Sequence, residues 1–548
     1  MHLPTPSLST PLVATTYSYQ RRTPETSLLR RIVMAQWPGL ERDVREATDG
    51  RSLPRFIRKG VDGFIKCGML GHGFSRLFCK TCRTDQLVAF SCKVRGLCSS
   101  CDGRRMTELA AHIVDSVLPA VPVRQFVLTL PADLRAIVAW NAELRGKVLT
   151  AFMRALEKHY VQQALAKGAT EPKFAAISVL QRWDGALRVF PHWHVLAADG
   201  AWHKTATGLK FLRTLPMRTE QVEALLADII KRVTLQAERF YARRADADGA
   251  LKPGDPALAA LLQGSLFGPQ ELQRTEPGTG KAGLPTFTTK SRNCVDAAGF
   301  NLHANTAVHE LARDRLEHLV RYICRPAVAA KRIAASGPHH VIIHLKNEWR
   351  GGVTGVRLSS RDLVIRLLAQ VPLPKAASVH YHGLFAPGAS QREEVVPARG
   401  GRVAHNKRKG KRKAAVNVGA TTAQTGAVQA GDGADAFKLV GAVAAAYGEV
   451  EQEYSTKLTW AQCLRRAFFF DAMACPCGGR RRVIAVILQA SEVEKILRHV
   501  NLWRENGDQD GSDITEIRGP PGHVVPAEDQ PDDDWDAWDE PPPLDWAA

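Results

Sequence analysis

Residues 191–202 read PHWHVLAADGAW. Side chains alternate across a β-strand, so this run puts His192 and His194 on one face and Trp193 on the other. Two imidazoles on one face are able to ligate a single divalent cation while the indole packs behind them. The run closes on Asp199-Gly200, a turn pair. On either side in sequence, RQFVLTLP (124–131) and FAAISVLQRW (174–183) also read as strands. NLHANTAV (301–308) is a further strand candidate, and residues 340–359 read as a hairpin. Apolar residues at helical spacing mark helices over 106–118, ended by Pro119 and Pro122, and over 134–166 and 218–244. The pattern predicts an α+β protein with a central antiparallel sheet flanked by helices. A pair of core or surface histidines is the ordinary reading of His-Trp-His alone; its place in the middle of that sheet favours the metal.

A metal held by strand histidines would polarise a scissile phosphate, and the reaction then needs a nucleophile. ARDRLEHLVRYICRP (312–326) reads as a helix with apolar Leu316, Leu319, Val320 and Ile323, stopped near Pro326. Tyr322 is the candidate. His318 lies four residues before it and Arg325 three after, at spacings that share a helix face. Arg321 and Arg325 are placed to hold phosphate oxygens near the tyrosyl oxygen. A half-buried aromatic on an amphipathic helix is the plainer reading. Tyr160, Tyr241, Tyr381, Tyr447 and Tyr454 are competitors.

The chain has 11 Cys, six of them between Cys67 and Cys101. Clustering without a secretory signal reads as metal ligation, not disulfide bonding. Cys79-x2-Cys82 and Cys98-x2-Cys101 fit a four-thiolate zinc site. Cys67, His72 and Cys92 remain as ligands of a second metal or as exchange partners. Arg104 and Arg105 stand beside the cluster, where they suit phosphate contacts. Cys475 and Cys477, followed by Arg480, Arg481 and Arg482, fall short of a site by themselves; Cys463 is the only other cysteine nearby.

Across 548 residues, 74 Lys and Arg face 55 Asp and Glu, a formal charge of +19. Residues 519–548 hold nine acids and no Lys or Arg, so residues 1–518 set 74 basic against 46 acidic side chains. A basic body points to a polyanion, nucleic acid first. No basic amphipathic helix favours a membrane surface. No stretch approaches the ~18–20 apolar residues of a membrane span, and the N-terminus lacks a signal-peptide pattern. A cytoplasmic protein is expected.

The chain divides into a Pro/Ser/Thr-rich leader expected to be disordered (1–36) and a zinc-binding domain with a helical lead-in (37–118). A core domain (119–399) follows, with a Gly/Pro-rich inserted loop at 249–290. Next come a basic linker (400–436), an accessory domain (437–510) and an acidic disordered tail (511–548). Within the linker, Lys407, Arg408, Lys409, Lys411, Arg412 and Lys413 suit non-specific DNA binding. The tail intersperses Trp535, Trp538 and Trp546 among its acids.

Eight blocks stand in order: CGMLGHGFSRLFCKTC, VAFSCKVRGLCSSCDGRRM, VPVRQFVLTLP, HWHVLAADG, GFNLHA, RYICRP, YHGLFAP and CPCGGRRRVIAVI. Their combination resembles a rolling-circle insertion-sequence transposase of the IS91-like type, an HUH-class single-strand endonuclease with an N-terminal zinc-binding domain. The resemblance implies an HUH-type core in which His192 and His194 are the paired ligands of Mg²⁺ or Mn²⁺. It implies that Tyr322 attacks a DNA phosphate, leaving a 5′-phosphotyrosine and a free 3′-OH. A third ligand is usual, with His303 the first candidate and Asp184 and Asp199 behind it. Zn²⁺ would be structural, and the partners would be single-stranded DNA and element-end DNA at the bacterial nucleoid. Two departures stand out. His318 occupies the position where some members carry a second tyrosine, and Pro191 precedes the histidines. His380, Tyr381 and His382 sit in or beside the YHGLFAP block, where packing or DNA contact is the plainer role. A replication initiator or relaxase, a non-catalytic zinc-dependent DNA-binding regulator and a degenerate transposase are the rival readings.

Overall fold

The computed structural model describes residues 23–245, 287–327, 329–349, 353–397, 458–468 and 471–503. The basic run at 407–413, the acidic tail and most of the inserted loop lie outside the described residues. The helices are α1 (Leu28–Ala47), α2 (Arg55–Lys66), α3 (Ser99–Ser116), α4 (Ala132–Trp140), α5 (Ala142–Ala166), α6 (Thr219–Ala245), α7 (Arg313–Cys324), α8 (Ser360–Gln370), α9 (Arg392–Val395), α10 (Trp460–Phe468) and α11 (Ala490–His499). The strands are β1 (Phe74–Cys79), β2 (Asp85–Ala89), β3 (Val123–Thr129), β4 (Ala175–Trp183), β5 (Val189–Ala198), β6 (Gly200–Thr205), β7 (Gly208–Arg213), β8 (Thr288–Ser291), β9 (Cys294–Ala297), β10 (Phe300–His303), β11 (Ala307–Val308), β12 (Ile333–Ala335), β13 (His340–Trp349), β14 (Val353–Ser359), β15 (Val379–Gly383) and β16 (Arg481–Ile487). None of the described helices is long and apolar enough to cross a membrane.

The described residues form two compact bodies. The larger comprises 27–65 and 92–397, the smaller 23–26, 66–91 and 458–503. The larger body is built on an eight-stranded sheet in the order β15-β4-β5-β3-β10-β9-β8, with β11 also on β3. Every pairing in it is antiparallel. The alternation read from the sequence is realised in β5. Trp193, Val195 and Ala197 point into one core, with Phe126 and Leu128 of β3, Leu134 of α4, Phe152 of α5 and Leu226 of α6. Leu196 and Ala198 point into the other, with Ile177 of β4, Ile113 of α3 and Leu316, Leu319, Val320 and Ile323 of α7. Burying Trp193 and its neighbours removes apolar surface worth about 25 cal/mol per Å². That burial makes a one-residue slip of β5 costly, because it would drive both imidazoles into the α5 core.

Several elements depart from the sequence expectation. The helix begins at Leu28, inside the segment read as a disordered leader. The Pro/Ser/Thr composition stops there, and Leu29, Ile32, Val33, Leu40 and Val44 bury a helical stripe. The long helix expected over 134–166 is two helices, because the Asn141 side chain accepts the Leu144 N–H at 2.8 Å and starts α5 afresh. Residues 288–291 of the expected loop form β8. Pro191 lies within β5. The pairing with β4 shifts register between Gln181 and Trp183, and Gln181 pairs with His192. The proline is thus absorbed at a bulge before the histidines.

Asp199, read first as half of a turn pair, is a buried ion-pair anchor on the α5 side. Its carboxylate accepts from Arg124 Nε at 3.0 Å, Arg124 Nη2 at 2.8 Å and the Tyr160 hydroxyl at 3.0 Å. Arg124 also donates to the Ala304 carbonyl at 2.9 Å, which ties β3 to the end of β10. Asp199→Ala would strand a buried guanidinium. It should lower stability by about 3–5 kcal/mol in urea denaturation, the usual cost of removing one partner of a buried pair. A cost below about 1 kcal/mol would show that the pair is not structural.

His382 of β15 accepts from or donates to Ser178 Oγ at 2.8 Å on the same side of the sheet. Burial, and then the neighbouring His380, push its pKa down to about 4. The unfolded imidazole titrates near ~6.5, so between about 4 and about 6.5 the unfolded chain binds the extra proton. This contribution to stability is therefore complete above about 6.5 and falls as pH drops toward 4. His382→Gln should narrow the difference in urea midpoint between pH 7 and pH 5. An unchanged difference would contradict the assignment.

Candidate active site

His194 and His192 lie on the α7 face of β5. The two rings are 5.0 Å apart between centroids, at 69°. His192 Nδ1–H donates to the Phe190 carbonyl at 2.7 Å. That bond fixes the tautomer and leaves Nε2 with its lone pair, the arrangement a metal-binding imidazole needs. The Gln125 side-chain amide lies 2.9 Å from His194 Nδ1, with donor and acceptor roles set by the tautomer. Gln125 reaches it because Leu196 is its partner in the β3–β5 pairing, two residues from His194 on the same face. Burial pushes the pKa of His194 well below the ordinary range, aided by His192, Arg325 and His303. Burial likewise lowers His192, opposed by its bond to Phe190, and lowers His303. All three are therefore held neutral, the state in which imidazole binds a metal.

Tyr322 comes down on this face from α7. Its ring stands 5.9 Å from that of His194, edge-on at 88°. The last turn of α7 is pinned to the sheet by Gln181, whose side-chain N–H donates to the Ile323 carbonyl at 2.8 Å. Arg325 is not on the helix as the spacing suggested. Pro326 disfavours helical backbone in the residue before it, and Arg325 is extended at φ −65° and ψ 155°. From there its guanidinium carbon lies 4.5 Å from the Tyr322 ring centroid, a cation–π contact. Arg321, expected to share the phosphate-holding role, is buried and ion-paired with Glu317 one turn earlier. Burial, and then the neighbouring Arg321 charge, lower the pKa of His318.

His303 shares the face. It pairs with Val127 of β3, and Val127 pairs with His194 of β5. Among the described residues, however, the ring nitrogens of the three histidines do not close to within 4.8 Å of one another, as the thiol clusters do. The two weaker ligand candidates are occupied elsewhere. Asp184 accepts from the Ala186 and Arg188 amides and from Arg188 Nε in the β4–β5 turn, and Asp199 is the ion-pair anchor. In β15, Tyr381 packs on the α7 side, whereas His380 and His382 project to the opposite face. Sequence reasoning missed Gln125 and Gln181. Polar residues in otherwise apolar strands were the available signal.

The cysteines regroup. Cys79 and Cys82 gather with Cys475 and Cys477, not with Cys98 and Cys101 as the spacing suggested. In the larger body Cys98 and Cys101, at the start of α3, gather with Cys92, whose sulfur is 3.4 Å from that of Cys101. Cys67 belongs to the segment of the smaller body that begins at Lys66, the last residue of α2, as does His72, which is in neither group. The expectation failed because a repeated Cys-x2-Cys identifies pairs but not which pairs meet. Arg104 is bound to Glu108 at 2.9 Å, and Arg105 donates to the Lys93 carbonyl at 3.3 Å.

Two family models match the chain. Residues 39–130 match the family model "Transposase zinc-binding domain", of the IS91 type. Residues 175–394 match the model described as "Putative transposase", a span that includes His192, His194, His303 and Tyr322. No curated protein matches the chain, and no solved structure does. The zinc-binding match and the thiol clusters together support structural zinc. The two matches, in this order, support an IS91-like transposase.

Proposed function

We propose that this transposase cleaves and rejoins one DNA strand through a covalent tyrosyl intermediate. The observation that carries the reading is the meeting of His192, His194, Arg325 and Tyr322 on one face of the sheet. His192 and His194 would hold Mg²⁺ or Mn²⁺; His303 shares their face, although its ring does not close with theirs as the thiols do. A neutral His192 with its Nδ1–H anchored on the Phe190 carbonyl suits the ligand role. The ion, when bound, neutralises charge on the scissile phosphate.

The chain's own residues do the rest. The Tyr322 oxygen attacks phosphorus as its proton leaves. The P–O3′ bond breaks, and its electron pair stays on the 3′ oxygen, which takes a proton. The products are a 5′-phosphotyrosine and a free 3′-OH. Arg325, already over the ring, is placed to donate charge-assisted hydrogen bonds to the phosphate oxygens. The number of phosphoester bonds is unchanged, so a 3′-OH can reverse the step without ATP. With a single tyrosine on α7, one subunit holds one covalent strand end at a time. Basic side chains, among them Arg105 and the run from Lys407 to Lys413, would hold the DNA backbone with steep salt dependence. The setting would be the bacterial nucleoid, and the DNA single-stranded at the element ends.

Incubating the protein with labelled single-stranded DNA spanning element ends and Mn²⁺ should give a DNA-linked band on a denaturing gel. Tyr322→Phe and EDTA should each abolish it. Gln125→Ala, which loosens His194, should lower Mn²⁺-dependent cleavage by about 10–100-fold. Salt-sensitive DNA binding with no adduct would favour a non-catalytic DNA-binding regulator. An adduct that survives in Tyr322→Phe would reassign the nucleophile.

A further inference from the structure

The smaller body contains a thiol site that joins parts of the chain 393–398 residues apart. We propose that Cys79, Cys82, Cys475 and Cys477 bind a structural zinc ion that makes residues 458–503 part of the zinc-binding body. Two of the four ligands lie far beyond the zinc-binding match, which ends at residue 130.

The sulfur geometry is that of a metal site. All four Sγ atoms lie within 4.8 Å of one another. Cys79 to Cys477 and Cys82 to Cys475 are each 3.6 Å. A disulfide would bring sulfurs to about 2.05 Å. A zinc tetrahedron with Zn–S of about 2.3 Å has edges of about 3.8 Å. Tetrahedral all-sulfur donors select zinc or iron over harder cations.

Each pair sits on its own tight turn. In the first, the Arg83 N–H donates to the Cys79 carbonyl at 2.8 Å, and Arg83 has φ 57°. In the second, the Gly478 N–H donates to the Cys475 carbonyl at 2.9 Å, and Gly478 has φ 83°. The turns approach so closely that a Cβ on Gly479 would stand 2.5 Å from Thr81 Oγ1 and 3.0 Å from Cys79 Sγ. Only glycine admits that contact.

The strands continue the junction. β16 pairs antiparallel with β1 from Cys79 opposite Arg481 to Phe74 opposite Ile487. Behind them the buried core consists of Leu70, Phe74, Leu87, Val493 and Leu497. A core this small needs a staple, and the zinc supplies it at the end of the sheet. The C-terminal segment is thereby a component of the N-terminal domain, with the catalytic sheet inserted between its halves.

The full-length protein tests this by metal analysis and thiol labelling. Cys475→Ser/Cys477→Ser should carry one zinc equivalent per chain fewer than wild type. Cys463→Ser, which alters a buried cysteine outside the site, should keep the full complement. In the double variant, amide protection should fall across β16 and remain across β5. In unmutated protein Cys477, although exposed, should resist iodoacetamide, then react together with Cys79, Cys82 and Cys475 when a chelator strips the zinc. Unchanged zinc in the double variant, full-rate alkylation of Cys477 in zinc-loaded protein, or iron in place of zinc would each overturn the proposal.

Discussion

The site depends on the two-residue period of β5, locked by its pairing with β3 on one side and β4 on the other. Trp193 is the lock. Its indole is buried in the α5 core, and the histidines before and after it must therefore face α7. The neighbouring strands add polar supports on the same face. Gln125 of β3 reaches His194, and Gln181 of β4 reaches the last turn of α7. The Asp199–Arg124–Tyr160 cluster lies on the reverse side, where it ties the start of β3 to the end of β5 and to α5.

Helix α7 is positioned as strictly as the strand. Its stripe of Leu316, Leu319, Val320 and Ile323 packs against α3 and the sheet. At its start, Arg313 gathers the carbonyls at the end of α3. It donates to Pro119 at 3.1 Å, to Leu118 at 2.9 Å and also to Val114. At its end, Pro326 turns Arg325 out of the helix and over the Tyr322 ring. The other end of α3 carries Cys98 and Cys101 within the thiol cluster of the larger body. Cysteine cluster, α3, α7 and tyrosine thus form one continuous packed path inside that body.

Much of this was legible beforehand for physical reasons. Strand and helix periods are local, so the His-Trp-His alternation and the apolar stripe before Tyr322 could be read without a fold. The β13–β14 hairpin and the long α6 followed from the same periods. What depends on distant partners was not legible. Cys79-x2-Cys82 looks the same whether its complement is Cys98 and Cys101 or a turn nearly 400 residues later. Asp199 looked like a turn residue because its guanidinium partner, Arg124, lies 75 residues away in sequence. Arg321 and Arg325 look equivalent on a helical wheel. Glu317 pairs with the first, and Pro326 turns the second out of the helix and over the Tyr322 ring. Composition misled at the leader, where a Pro/Ser/Thr-rich stretch runs up to a helix that is already apolar at Leu28 and Leu29, and at the end of the Gly/Pro-rich loop, where residues 288–291 form β8.

The most direct test of the central claim asks whether the two histidines of β5 hold the metal that the tyrosine uses. Mn²⁺ bound to full-length protein carrying ¹⁵N-labelled histidine can be examined by electron spin-echo envelope modulation. The account expects ¹⁵N couplings from directly bound imidazole, lost in His192→Ala/His194→Ala together with the DNA adduct. Imidazole couplings that persist unchanged in that double variant, or a wild-type protein that forms the adduct with no imidazole on its Mn²⁺, would contradict it.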